Sequence, residues 1–275
     1  MTDSIFTASR TFRTPATVVH PMPETVALSR EEGVATITID RPESLNALNV
    51  ETLEALDSVL DECEDARVIV LTGAGEDAFV AGADISYMKD LSVAEAMAYA
   101  ELGHEICDRI ATHDAPAIAA VNGYAFGGGC ELALACDLRV ASENAVLGQT
   151  EIDLGIVPGW GGTQRLSRLV GDAAARRMVF LGERLDAESA AEIGLVGEVV
   201  SQEDLDSVVG EMATTLTEKP RFALAAAKES LNQVHEGPQS AGLSYEKRLW
   251  SGLFGTADQR EGMAAFVEKR DPEFE

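Results

Sequence analysis

Basic residues are scarce in this sequence of 275 residues. It contains 21 lysines and arginines against 47 aspartates and glutamates, and only five of the 21 are lysines, so the formal net charge is −26. A surface of this sign repels the phosphates of nucleic acids and anionic membranes, and we expect neither as a partner. Dense carboxylates with few lysines also suit a protein kept soluble in concentrated salt, where screening removes the cost of self-repulsion. The charge balance therefore predicts a halophilic, cytoplasmic protein.

Long apolar runs and paired cysteines are missing as well. No apolar stretch approaches the ~20 residues that a membrane-spanning helix requires. The four cysteines lack C-x-x-C spacing, and the four histidines form no H-E-x-x-H motif. This pattern predicts neither a disulfide framework nor a zinc site, and it agrees with a reducing compartment. The nucleotide-binding patterns G-x-G-x-x-G and G-x-x-x-x-G-K-[ST] and the nucleophile elbow G-x-S-x-G are also absent, so we set those functions aside.

Residues 1–23 differ in composition from the rest of the chain. They are rich in serine and threonine and carry three prolines, two arginines and one aspartate. A transit peptide has this composition, but a disordered tail, or an upstream start codon with Met22 as the true start, fits equally well. We favour the last two interpretations, because a salt-adapted acidic protein indicates a prokaryotic cytosol with no organelle to enter.

The order of strand and helix patterns indicates an α/β fold. A hairpin is predicted from Thr25, and after it come, in order, helix Val50–Cys63, strand Val68–Thr72, helix Val93–Ala111, strand Ala117–Val121, a helix ending at Cys136 and strand Asp137–Ala141. Repeated strand-then-helix units predict a parallel spiral of strands rather than a single open sheet. Helical patterns dominate after Gly159. We expect an α/β core over residues 24–200 and a helical region for packing and oligomerisation over residues 201–275.

Three consecutive glycines, Gly127 to Gly129, stand directly before an apolar, helix-favouring run. Glycines weaken a helix, so a stable fold keeps three of them only where the backbone must approach something closely. They are therefore predicted at a helix N-terminus, where free N–H groups favour negative charge. Small residues from Ala81 to Ala83 form a second strand-to-helix turn, which alone reads as a tight turn. One N–H group from each turn can converge on a single oxyanion.

Two glutamates flank this predicted site. Glu131 follows the glycines in the first helical turn, where glutamate is also a common partner of the helix dipole. Glu151 lies in a loop with apolar neighbours, and a solvent-exposed acid is the alternative for it. Two carboxylates in different surroundings suit acid–base chemistry, because burial raises the pKa of one while a helix N-terminus keeps the other ionised.

Four motifs occur together and in order along the chain. They are Phe79–Ile85 (FVAGADI), Ala120–Leu132 (AVNGYAFGGGCEL), Gly148–Glu151 (GQTE) and Pro158–Leu166 (PGWGGTQRL). The combination resembles the crotonase superfamily, and within it the enoyl-CoA hydratases, over residues 25–270. The resemblance implies a spiral of ββα units with a helical C-terminal trimerisation region, and reversible hydration of trans-2-enoyl-CoA to 3-hydroxyacyl-CoA in fatty-acid β-oxidation or a related short-chain pathway.

The resemblance also implies roles for individual residues. The backbone N–H groups of Ala83 and Gly128 form the oxyanion hole for the thioester carbonyl. Glu131 acts as the base on the water, and Glu151 delivers a proton to the α-carbon. No metal or redox cofactor is implied, because coenzyme A is part of the substrate.

The resemblance assigns the coenzyme A portion to further positions. These are Leu45, Gly82, Ala83, Asp84, Ile85 and Gly128, together with Phe266 and Lys269, which the family commonly supplies from a neighbouring subunit. The implied assembly is a homotrimer or a dimer of trimers. For Phe266 and Lys269, helix packing and simple surface exposure are equally good interpretations.

Three departures from the family pattern and two rival functions accompany this hypothesis. Thr150 stands where proline is frequent, Asp153 where an apolar residue is frequent, and Trp160 where a small residue occurs. Trp160 is in a position to narrow the acyl pocket, and Asp153 is in a position to raise the pKa of Glu151 by like-charge repulsion.

The rival functions are those of an enoyl-CoA isomerase, or another crotonase-type thioester enzyme, and of a non-catalytic RNA-binding relative. The joint presence of two glutamates favours hydration, and the absence of a basic stripe argues against RNA.

Overall fold

The computed structural model describes residues 25–274, so the interpretations of residues 1–23 lie outside it. The strands are β1 (Val26–Glu31), β2 (Val34–Ile39), β3 (Val68–Gly73), β4 (Ala78–Val80), β5 (Ala117–Val121), β6 (Tyr124–Phe126), β7 (Leu138–Ser142), β8 (Val146–Gly148), β9 (Arg184–Asp186) and β10 (Glu198–Val200). The helices are α1 (Val50–Glu62), α2 (Ile85–Met88), α3 (Val93–Thr112), α4 (Gly128–Ala135), α5 (Gly162–Val170), α6 (Asp172–Leu181), α7 (Ala187–Glu192), α8 (Leu205–Thr217), α9 (Arg221–Asn232), α10 (Gln239–Leu253) and α11 (Ala257–Glu268).

The strands form two sheets, of six strands in the order β1-β2-β3-β5-β7-β10 and four strands in the order β4-β6-β8-β9. The pairs β1–β2 and β8–β9 are antiparallel, and all other pairs are parallel. The consecutive strand pairs β3–β4, β5–β6 and β7–β8 each add one strand to each sheet. The chain therefore winds as a spiral, which confirms the predicted fold class.

The four strands of the smaller sheet are absent from the sequence-based prediction. Each of them is three residues long. Alternation of apolar and polar residues needs a longer segment to be visible, and β4 is buried at all three positions, so it shows no alternation. These short segments are strands because the spiral places them side by side, where they hydrogen-bond to one another in the smaller sheet.

Alternate residues of the central strands point to opposite faces of the large sheet, and each face is covered by its own apolar cluster. In β3, Ile69 and Leu71 face the main core with α1, α3 and α4, whereas Val68 and Val70 face a second cluster. That second cluster includes Leu205, Val209 and Ala213 of α8. Helix α8, the first helix after residue 200, thus covers the opposite face of the large sheet. A separate oligomerisation role for residues 201–275 stays a prediction.

No helix within residues 25–274 combines the length and the apolar character that a membrane span requires.

Candidate active site

A cavity of about 370 Å³ lies at one edge of the smaller sheet. Part of its lining comes from three connections: Ala81 to Ala83 after β4, Gly127 and Gly128 after β6, and Glu151 after β8. Strands β4, β6 and β8 are parallel neighbours, so their carboxyl ends meet at the same edge. Residues far apart in sequence converge there for this reason, as is usual for sites in parallel sheets.

Each of the three consecutive glycines has its own structural reason. Gly127, the N-cap of α4, has a φ of 48°, in the region that L side chains rarely adopt. A Cβ on Gly128 would lie 2.2 Å from the indole of Trp160, and a Cβ on Gly129 would lie 2.0 Å from the carbonyl oxygen of Val80. The close approach predicted from the sequence is therefore made by Gly128 to an aromatic ring and by Gly129 to a neighbouring strand, whereas Gly127 is required by its positive φ.

The N–H groups of Ala83 and Gly128 are available for an oxyanion. Gly128 is the first residue of α4, so its N–H has no acceptor within the helix. Ala83 lies between Gly82, whose carbonyl accepts from the N–H of Leu48 at 2.9 Å, and Asp84, whose N–H donates to the carbonyl of Leu48 at 2.7 Å. In the described part of the chain, neither N–H donates to another protein group. Both residues line the cavity.

Glu131 is buried, and one of its two carboxylate oxygens is occupied. The N–H groups of Trp160 and Gly162 both donate to Oε1, each at 2.7 Å. The other oxygen, Oε2, takes part in neither bond. Burial raises the pKa of Glu131, and the two N–H donors, together with the charges of His104 and Arg165, oppose that rise. The sequence indicated Glu131 but not the two donors, which come from the glycine-rich stretch at the start of α5.

Glu151 begins a 3-10 helix after β8 and is 8% exposed. Burial raises its pKa to about 7, its own backbone N–H opposes the rise, and the charge of Glu131 adds to it. The expected effect of Asp153 is wrong: that side chain is exposed and is not a cause of the shift. The like-charge neighbour of Glu151 is Glu131, which lines the same cavity.

Gln149 is a further site residue, which sequence reasoning quoted within a motif but gave no role. It is fully buried, and its amide nitrogen donates to both oxygens of Glu151, at 3.0 Å and 3.2 Å. The orientation follows from the neighbouring atoms, because an amide oxygen turned toward Glu151 would face only acceptors. A buried polar residue two positions before a predicted acid was the available signal. We assign Gln149 as a positioning residue for Glu151.

Replacing Gln149 by methionine keeps the volume and removes the amide. The carboxylate of Glu151 then loses a donor, so its pKa rises and the alkaline limb of the pH–rate profile moves upward by roughly one pH unit. The pH dependence of kcat/KM measures this shift, with Gln149→Asn as a shorter variant that keeps the amide. A lower rate with an unmoved limb would mean that Gln149 contributes packing only.

Most of the predicted coenzyme A positions lie at or beside the cavity, and only Phe266 and Lys269 lie elsewhere. Gly82, Ala83, Ile85 and Gly128 line the cavity, and Leu45 lies beside them, since its carbonyl accepts from the N–H of Ala81 at 3.0 Å. Asp84 supports this loop: one oxygen accepts from the N–H groups of Ser86 and Tyr87 at the start of α2, and the other pairs with Arg41.

Phe266 and Lys269 do not line this cavity. Both are exposed at the end of α11, where Phe266 is 85% exposed and Lys269 ends the helix with a φ of 58°. Because they were expected to act on a neighbouring subunit, their role stays a prediction.

Similar proteins and solved structures agree with this geometry. The chain is 44% identical over 248 residues to a short-chain-enoyl-CoA hydratase of Clostridium acetobutylicum, which covers 89% of this chain and 95% of the relative. It is 42% identical over 254 residues to a crotonyl-CoA hydratase of Syntrophomonas wolfei, with 91% and 98% covered. The structure of an enoyl-CoA hydratase from Bacillus anthracis superposes with a TM-score of 0.88 at 36% identity, and covers 91% of this chain and 99% of that one.

The spiral of two sheets and the cavity at its edge define a crotonase-fold protein. The family model described as enoyl-CoA hydratase/isomerase matches residues 29–275, and the chain belongs to this family.

Proposed function

We propose that the protein is an enoyl-CoA hydratase, which adds water across the C2=C3 bond of a trans-2-enoyl-CoA and releases the 3-hydroxyacyl-CoA. The observation that carries the proposal is the placement of two buried glutamates, Glu131 and Glu151, on one cavity with two unoccupied backbone donors. Hydration requires a base for the water, an acid for the α-carbon and a site for the negative charge of the enolate. The cavity supplies one group for each requirement.

The reaction can be written on these groups. The thioester oxygen accepts from the N–H groups of Ala83 and Gly128. The carboxylate of Glu131, whose Oε1 is held by two donors, takes a proton from water through Oε2 while the water oxygen bonds to C3. The C2=C3 electron pair takes the proton of Glu151, which its raised pKa keeps partly protonated near neutral pH. Exchange with solvent returns the proton from Glu131 to Glu151.

We propose no cofactor for this reaction, because the thioester already activates the double bond and the two N–H groups supply the electrostatic stabilisation. A donor of this kind is worth roughly 2.7–4 kcal/mol in an acyl-transfer site, so the backbone placement carries a large share of the rate.

The test follows the loss of enoyl-thioester absorbance with crotonyl-CoA as substrate. The expected product is heavier than the substrate by one water. An isomerase would move the double bond without a mass change, so mass spectrometry of the product separates the two activities. An RNA gel shift at matched salt examines the binding rival, and it should show no complex. A wild-type protein that hydrates no enoyl thioester would overturn the proposal.

Exposed apolar side chains in the C-terminal region support an assembly. Phe222 of α9, Trp250 of α10, and Phe266 and Val267 of α11 are all largely exposed in the single chain. Phe222 and Trp250 line one groove, and an exposed apolar patch of this kind is typical of interfaces between subunits. We propose a homotrimer or a dimer of trimers, in which α11 brings Phe266 and Lys269 to a neighbour's coenzyme A site.

Removal of salt is expected to unfold the protein, because unscreened repulsion among 47 acidic residues with a net charge of −26 opposes the compact state. Dialysis from molar salt into dilute buffer, followed by circular dichroism and light scattering, measures folding and assembly together. A sample dialysed against the same molar salt is the control. A folded protein of unchanged mass in dilute buffer would contradict both the halophilic character and the salt-rich cytoplasm that we propose as its location.

A further inference from the structure

The indole of Trp160 forms one wall of the cavity, and we propose that this wall restricts the enzyme to short-chain 2-enoyl thioesters such as crotonyl-CoA. The inference rests on the proposed hydratase function and names the substrate class within it. It depends on three features: the backbone of Trp160 is fixed, its ring cannot retreat, and it stands next to the reacting carbons.

The backbone of Trp160 is held from both sides. Its N–H donates to Oε1 of Glu131 at 2.7 Å, and its carbonyl accepts from Nη1 of Arg165 at 2.8 Å. These bonds tie the position of the indole to the position of Glu131, so the wall and the acid–base group keep one geometry.

The ring of Trp160 is wedged between two glycines. A Cβ on Gly103 of α3, or on Gly128 of α4, would come within 2.2 Å of indole atoms. The indole therefore occupies the space that side chains would fill on both helices. Trp160 is only 3% exposed. Helix backbone on both sides prevents the ring from moving away from the cavity. It acts as a rigid wall rather than a flexible gate.

Tyr99 extends this wall and is itself fixed. Its ring meets that of Trp160 edge to face, with 5.4 Å between centroids, and its hydroxyl donates to the carbonyl of Leu48 at 2.6 Å. Both aromatic residues line the cavity together with Glu131. An edge-to-face aromatic pair contributes interaction energy in addition to that of burying the two rings. This energy opposes rearrangement of the wall.

The wall lies close to the acyl carbons beyond the double bond. Trp160 contacts Gly128, whose N–H is assigned to the thioester oxygen, and binds Glu131, which is assigned to the water at C3. The acyl chain past C3 thus meets the indole soon after the reacting atoms. The cavity of about 370 Å³ is near the lower end of ligand pockets, roughly 300–1,000 Å³, and it must also admit the thioester end of coenzyme A.

A chain-length series tests the proposal. The kcat/KM values for crotonyl-, hexenoyl-, octenoyl- and decenoyl-CoA should fall steeply with length in the wild type. Trp160→Ala removes the indole but keeps the backbone bonds, so preference should shift toward the longer substrates by about 10- to 200-fold, the range for added methylenes in an apolar pocket. Trp160→Phe should be intermediate. Met97→Ala truncates an exposed side chain of α3 that does not line the cavity, and it should keep the wild-type profile.

Binding provides a readout that does not depend on catalysis. Titration calorimetry with inert butyryl-, octanoyl- and decanoyl-CoA measures this binding. In the wild type only the short butyryl-CoA should bind tightly, whereas all three thioesters should bind tightly to Trp160→Ala. If that variant does not fold, the wild-type and Trp160→Phe series decide the question. A flat wild-type profile in both assays would overturn the inference while leaving the hydratase function intact. Binding of short thioesters without hydration would instead overturn the function alone.

Discussion

Glu131→Gln and Glu151→Gln are each expected to lower kcat for the hydration of crotonyl-CoA by about 10²–10⁴-fold, the usual contribution of a positioned acid or base. Glutamine at 131 still accepts from Trp160 and Gly162 through its amide oxygen, so the fold of the site is retained while the base is lost. Glutamine at 151 cannot donate a proton to C2. Steady-state kinetics with the absorbance assay measure both losses.

The matched control is Asp153→Asn. Asp153 lies two residues after Glu151 and is also an acidic residue, but its side chain is exposed and lines no part of the cavity. The kcat of Asp153→Asn should stay close to the wild-type value.

The double variant of Glu131 and Glu151 should lose less transition-state stabilisation than the sum of the two single losses, since the groups act as a unit. A kcat close to the wild-type value in either single variant would contradict the role assigned to that glutamate.

The Glu151→Gln variant is also expected to be more stable than the wild type at pH 8, although it is nearly inactive. Burial holds the pKa of Glu151 at about 7 in the folded protein, above the ordinary value of 4.5. The folded state therefore binds this proton more tightly than the unfolded state. Below pH 4.5 both states are protonated and burial of the acid carries no ionisation cost. Stability is lost as the pH rises, and the loss is complete above about 7.

The expected gain follows from that difference in pKa. At about 1.4 kcal/mol for each pH unit, it corresponds to about 3 kcal/mol, which glutamine avoids because it stays neutral. Urea denaturation of the wild type and of Glu151→Gln at pH 4.5 and pH 8, in salt that maintains the fold, measures the free energy of unfolding. The gain should be present at pH 8 and small at pH 4.5. An equal gain at both values would point to packing rather than ionisation, and Asp153→Asn should show no such pH dependence.

Local patterns were sufficient for much of the fold. The spacing of apolar residues predicted α1 and α3, and the buried runs predicted β3 and β5, because these elements are long enough to show their own periodicity. The triple glycine predicted the start of α4, since a short glycine run before a helical segment has few other uses. Both glutamates were identified as candidates from residue type and position, and the structure brings them to one cavity.

Only the tertiary structure decided how these candidates work. The donors on Glu131 come from Trp160 and Gly162, Gln149 supports Glu151, and burial rather than Asp153 sets the pKa of Glu151. The three-residue strands that assemble the site show no periodicity of their own. Burial, like-charge repulsion and ring packing depend on atoms from distant segments, so no local pattern encodes them. The start of α4 at the glycine run was predictable from the sequence, whereas the indole that packs against it was not.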